Sequence, residues 1–297
     1  MSVLFALLSA LCYGTSDFIG GVVSTKIPAW TSAFCSQLGG MAATIVISVA
    51  TTSHLTGGSL AWGALSGVCT GLGMVALYHG LAIGRMGVVA PITGIVGAIV
   101  PALVGVIDGD RPGGIVWTGL VLALPAVFLV AAAPPTAAAT STAAGVEDSA
   151  GSPSGSSPVP TSDSGALFGL LAGVGFGFGF ATIAQVPEAA GHWPVVLSMA
   201  VGALFTALIA TFLGEAWRPT RRSDWWASAG GLLGGTAVIF FLAAANSGML
   251  SVAAVLSSLY PAVTVLLAVA ILREHVHKIQ ALGLGLTGVA VALVALG

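Results

Sequence analysis

Charge is what this sequence has least of. Only 6% of its 297 residues are charged, against 57% hydrophobic, and mean hydropathy is +1.05. A soluble domain carries ~25% charged residues, so this chain has too little polar surface to cover a water-facing globule. Basic residues are scarce too, eight Lys and Arg in all, and they form no patch that could hold a nucleic acid. Cysteine is limited to Cys12, Cys35 and Cys69, each isolated in apolar sequence. That odd, scattered set suits neither a disulfide framework nor a zinc site and reads as small buried hydrophobes. Nucleotide and hydrolase motifs are also missing. There is no Walker A pattern and no Gly-x-Ser-x-Gly elbow. His275-Val276-His277 lacks the spacing of a metal site, so no metal and no cofactor is expected.

What is present is long apolar sequence. Ten runs are separated by charges, prolines or polar clusters. They cover approximately Val3–Val23, Trp30–Ala50, Leu60–Ile83, Gly87–Val106 and Gly114–Ala133, then Ala166–Gln185, Pro194–Leu213, Trp225–Ala245, Leu250–Leu272 and Ile279–Leu296. About twenty apolar residues at 1.5 Å each span the ~30 Å hydrocarbon core. The first run has no basic leader and continues beyond the length of a signal peptide, so it is expected to be the first spanning helix. Glycine, 42 residues, favours close helix approach in lipid.

Between the fifth and sixth runs, residues 134–164 are rich in Pro, Ser, Thr and Ala, with Glu147, Asp148 and Asp163 and no basic or aromatic residue. Such a segment cannot bury enough apolar surface to order itself, so it is expected to be a disordered tether. It divides the chain into 1–133 and 165–297, five runs each. An offset of 164 pairs Trp62 with Trp226, Gly67 with Gly231, Gly71 with Gly235, Gly84 with Gly248 and Asp110 with Glu274. Five is odd, so two successive five-span repeats enter the membrane from opposite sides. The expected fold is therefore an all-α polytopic membrane protein of ten transmembrane helices in two inverted repeats, with a solute site near mid-membrane. The basic residues agree. Lys26, Arg85, Arg218, Arg221, Arg222, Arg273 and Lys278 fall on one face and only Arg111 on the other, which places the tether in the cytoplasm and both termini outside.

The stretch Ser257–Glu274, SSLYPAVTVLLAVAILRE, carries a polar pair and a Tyr-Pro step inside an apolar span. With the Gly-rich last run behind it, it resembles the second repeat of the EamA family of the drug/metabolite transporter superfamily. The resemblance is good over Leu232–Gly297 and looser over the first half, where Tyr13-Gly14 stands for the family's aromatic-Gly pair. It implies a permease of the cell membrane that moves a small metabolite, with the fourth and ninth helices lining a central cavity, and an exporter rather than an enzyme. It also places Asp110 and Glu274 at the family's helix-end acid, where capping explains them better than substrate contact.

Asp17 lies within the first span, where a carboxylate is costly and usually faces a cavity or a partner. It is read as proton-coupling or cation-recognising, or else as an acid reaching interfacial water. Family members commonly have an uncharged polar group near this position, so coupling through Asp17 does not follow from the resemblance. Gln37 and His79 lie toward the same face and could join it in a polar cluster; an isolated His near a span end is as readily interfacial. Tyr13, Thr93, Ser257 and Tyr260 are the candidates for substrate contact, against simple helix–helix hydrogen bonding. Pro-interrupted spans at corresponding places, Pro91 and Pro261, point to a pathway there. The tryptophans Trp62, Trp117, Trp193, Trp217, Trp225 and Trp226 read as an interfacial belt.

The function expected is a secondary transporter moving a small amphipathic metabolite by alternating access, with proton coupling as an option. Its partners are a small-molecule substrate and membrane lipid, as a monomer or homodimer. A sugar or nucleoside carrier of the same fold, and a membrane-embedded enzyme or sensor component, are the alternatives.

Overall fold

The structure, a computed structural model, describes residues 1–24, 26–83, 86–131, 162–272 and 278–296. The tether residues 132–161, Arg85, Arg273, Glu274 and the His275–His277 pair lie outside the described residues. Among those described, every regular element is helical: α1 (Ser2–Ser24), α2 (Ala29–Val49), α3 (Gly57–Ile83), α4 (Met86–Asp108), α5 (Gly114–Ala131), α6 (Ser162–Ala184), α7 (Trp193–Leu213), α8 (Ala227–Asn246), α9 (Leu250–Ser257), α10 (Tyr260–Leu272) and α11 (Lys278–Leu296), with short 3-10 turns at Glu188–Ala190 and Arg222–Trp226. Seven segments are long and apolar enough to cross a membrane, namely those in α1, α2, α3, α6, α7 and α8 and the α9–α10 pair. The apolar parts of α4, α5 and α11 are shorter. The chain is a polytopic membrane protein.

Two sequence expectations need correction. The ninth run is not one helix. It breaks at Ser258-Leu259, because Pro261 has no N–H to give to the Ser257 carbonyl. The ladder tightens there, with Leu259 N–H reaching the Leu256 oxygen, and the Ser258 hydroxyl donates to the freed Val255 oxygen at 2.7 Å. Pro261 then sits in the first turn of α10, where its missing donor costs least. Second, α6 begins at Ser162, so residues 162–164 belong to the helix and not to the tether; a Ser-Asp opening is a common helix start.

Packing joins the two halves of the sequence almost everywhere. Around a closed ring, α1 packs on α8, α8 on α2, α2 on α7, α7 on α3, α3 on α6, α6 on α4, α4 on α9, and α9 and α10 on α1, while α5 and α11 pair outside it. The main contacts between halves have counterparts: α3 with α6 answers α8 with α1, α3 with α7 answers α8 with α2, and α4 with α6 answers the α9–α10 pair with α1. The approach depends on small residues. Gly67 on α3 lies so close to α7 that an added Cβ would stand 2.5 Å from the Ser198 oxygen. At the counterpart position, a Cβ on Gly231 of α8 would overlap the Ser36 oxygen of α2.

The ends of the helices sort onto two faces. On the face carrying both termini, His54 N–H donates to the Ala189 oxygen at 2.7 Å and Thr51 Oγ1 meets His192 Nδ1 at 3.4 Å. On the face from which the tether leaves, Thr31 donates to the Ala216 oxygen at 3.0 Å, and Phe34 packs edge-on to Trp217 at 5.0 Å. Trp62, Trp117, Trp225 and Trp226 are exposed near helix ends, as belt residues should be.

Candidate functional site

The ring is filled unevenly. Its main core cluster lies mostly toward the terminus face, built from Ala6 on α1, Ile183 and Val186 at the end of α6, Val238 to Leu242 on α8 and Val252 to Leu256 on α9. Toward the tether face the only other cluster among the described residues is Ile27, Cys35 and Ala227. Helix α1 shows the change along its length. Ala6 and Ala10 are 0% and 3% exposed, Tyr13 is half-buried, Asp17 is exposed, and a Cβ on Gly20 would meet nothing within 4 Å.

Asp17 is exposed one turn beyond Tyr13 on α1, and the burial gradient along that helix places it on the loosely packed side, toward the tether face. Tyr13 on α1 and Tyr260 on α10 are half-buried, and each lies close enough to interact electrostatically with Asp17. Their rings stand 6.2 Å apart. Tyr13 meets Phe180 of α6 edge-on at 5.8 Å, and Phe180 meets Phe241 of α8 at 5.0 Å. This aromatic bar crosses the ring from α10 to α8. Phe241, 1% exposed, is part of the sealed core, so the bar marks where the packed core ends on the Asp17 side.

The structure therefore brings Tyr13, Asp17 and Tyr260 together. It gives the other candidates separate partners. Gln37 is buried against α7, where a Cβ on Gly202 would lie 2.8 Å from its Nε2. His79 is exposed at the tether end of α3, edge-on to Phe168 of α6 at 4.6 Å. Among the described residues no hydrogen bond or ring contact joins either of them to Asp17. Thr93 donates to the Gly169 oxygen at 3.1 Å, joining α4 to α6, and Ser257 reaches the Ala6 oxygen at 3.5 Å, joining α9 to α1. These two bonds are counterparts across the halves, so both hydroxyls serve the scaffold in this state.

Asp110 works at a helix end, though not its own. Its Oδ2 accepts from both the N–H and the hydroxyl of Ser251, each at 2.8 Å, which caps the start of α9 from the α4–α5 loop. Beside it, Gln185 Nε2 donates to Asp108 Oδ2 at 2.7 Å, tying α6 to α4. Burial holds the His192 imidazole below its ordinary range, so it is neutral near pH 7 on this face. Together these contacts clasp the terminus ends of the ring. Phe180, Phe241 and the Asp108–Gln185 bond carry no signal in the sequence, because each is defined by a partner more than sixty residues away.

A separate apolar groove of about 250 Å³ lies between α4, α5 and α9, lined by Leu103, Trp117 and Val255 among others. It is on the outer wall of the ring, away from Asp17. No group of three or more His, Cys, Asp or Glu that could hold a metal occurs among the described residues.

Residues 163–296 match the EamA-like transporter family. One solved crystal structure superposes on 99% of this chain and 96% of its own, with a TM-score of 0.73 at 16% identity; at that identity the likeness shows the fold alone. No curated protein matches the chain.

Proposed function

We propose that this chain, a member of the EamA-like transporter family of the drug/metabolite transporter superfamily, is a secondary transporter that exports a small amphipathic metabolite by alternating access, coupled to protons. The observation that carries the reading is the uneven filling of the ring: interlocked halves with the core packed toward the terminus face and Asp17 exposed toward the other, which we read as a one-sided vestibule. The reading takes the helices as two inverted five-helix repeats, with α9 and α10 together standing for the ninth span, because the main packing contacts of one half have counterparts in the other. Such a scaffold can exchange the roles of its two ends, since what closes one face has an equivalent at the opposite face. Lys26, Arg218, Arg221, Arg222 and Lys278 assign the tether face to the cytoplasm. The described state is then inward-open, in the cell membrane, with the Asp110–Ser251 and Asp108–Gln185 contacts holding the outer side shut.

The walls are apolar and aromatic with one carboxylate, which suits a small amphiphile better than a sugar phosphate, whose recognition calls for Arg or Lys forks. Proteoliposomes loaded with a metabolite extract and given a pH gradient test this. Efflux of at least one small amphipathic solute, chemically unchanged and dependent on the protein, is expected. Chemical conversion of the solute, or no protein-dependent movement across the whole extract, contradicts it.

A further inference from the structure

We infer that the vestibule takes a monovalent organic cation: an amphipathic amine whose ammonium group sits on Asp17 and whose apolar body lies against Tyr13, Tyr260 and Phe180. The inference rests on the reading of the vestibule as the transport site and adds the substrate's charge to it.

Asp17 is an acid without a countercharge. Among the described residues no hydrogen bond reaches its carboxylate, and α1, α4, α6, α8 and α10 contain no Lys or Arg. A carboxylate at membrane depth is retained where something compensates it, and the described residues of these helices supply no such group. The surroundings are suited to a cation. Tyr13, Tyr260 and Phe180 come from three helices with ring centroids 5.8 and 6.2 Å from Tyr13. An ammonium within ~6 Å of such ring faces is attracted by their electron-rich centres. The phenol oxygens of Tyr13 and Tyr260 make no hydrogen bond with described protein groups, so both remain available as acceptors for an N–H or as polarised neighbours of a quaternary head. An anion would face Asp17 with nothing to offset the repulsion. A neutral solute would leave the carboxylate unpaired.

The site is also one-sided on a two-sided scaffold. The Ser257–Ala6 and Thr93–Gly169 bonds fix the register between the halves. In that register Asp17 corresponds to Phe180, and Tyr260 to Val96. The second half supplies the ring where the first supplies the charge. One carboxylate then faces one aromatic wall, which fits a single cationic head with a single apolar body.

The test compares three probes with the same body and different heads on the full chain in lipid nanodiscs: 4-phenylbutyltrimethylammonium, 4-phenylbutanol and 4-phenylbutyrate, measured by titration calorimetry. The ammonium is expected to bind the wild-type chain at least about ten-fold tighter than the alcohol, with no binding of the carboxylate. Asp17→Asn should erase the preference for the ammonium, and Tyr13→Leu should weaken binding of the ammonium several-fold more than that of the alcohol, since only the ammonium loses a cation–ring attraction. Equal binding of ammonium and alcohol to the wild-type chain, or failure to bind the ammonium, overturns the inference; so does an undiminished preference in Asp17→Asn. The wild-type comparison stands even where a variant fails to fold. If solute export from the loaded proteoliposomes persists while the three probes bind alike, the cation assignment alone is wrong. If no solute moves, the transport reading fails first.

Discussion

Asp17→Asn abolishes pH-gradient-driven accumulation of 4-phenylbutyltrimethylammonium in proteoliposomes at every probe concentration, while counterflow exchange, lost at low probe, returns at saturating probe. The two assays separate two roles. Removing the charge lowers affinity for the cation, and excess ligand compensates for weak binding. Excess ligand cannot supply a proton-carrying group, and among the described residues no other acid shares the vestibule with Tyr13 and Tyr260. The side chain is isosteric and accessible, so folding should be unaffected, which elution as a single symmetric species checks. Recovery of gradient-driven uptake at high probe would remove Asp17 from coupling and leave it a binding residue only. Undiminished exchange at low probe would do the reverse.

Gly231→Ala is expected to destabilise the protein by about 2–3 kcal/mol, the upper range for overpacking a close contact. The new methyl would overlap the Ser36 oxygen, which is backbone and cannot rotate away. Helices α2 and α8 would have to part, and with them the Ser228–Cys35 and Ser36–Ala227 hydrogen bonds at 2.9 and 3.1 Å. Gly67→Ala, the counterpart, should behave alike, since its methyl would stand 2.5 Å from the Ser198 oxygen. Gly285→Ala is the control: nothing lies within 4 Å of its added Cβ, and the change should fall within about 0.5 kcal/mol. The check is the fraction remaining monodisperse after graded heating. Equal survival of all three variants would show that the small-residue seam does not hold the halves together.

Much of this arrangement was legible before any coordinates. Helix positions follow from apolar run length. The sorting of helix ends follows from their number, and the Gly67/Gly231 and Gly71/Gly235 pairs that the sequence offset aligns lie at the close α3–α7 and α2–α8 seams. Tyr13, Asp17 and Tyr260 stood out because a phenol or an acid inside an apolar span needs a reason. What stayed hidden was set by distant partners. Nothing local tells that Asp110 caps a helix beginning 140 residues later, that Thr93 and Ser257 are occupied by carbonyls of other helices, or that Gln37 and His79 turn to different neighbours although they lie toward the same face as Asp17. The break at Ser258-Leu259 was partly visible in Pro261, but whether a proline kinks a helix or divides it depends on how neighbouring groups satisfy the freed carbonyl. Here the turn tightens and Ser258, within the break, satisfies the Val255 oxygen that the tightening releases.

The measurement that bears most directly on alternation between two faces is a locked outer gate. In a chain with Cys12, Cys35 and Cys69 replaced by Ala, Asp108→Cys and Gln185→Cys are bridged with dibromobimane where the native side chains meet at 2.7 Å. The account predicts that the bridged protein still binds 4-phenylbutyltrimethylammonium from the tether face but no longer exchanges it across the membrane, while the unbridged double variant does. Exchange at the unbridged rate with the crosslink in place would mean that solute crosses without the terminus face ever opening, and alternating access through this ring would be wrong.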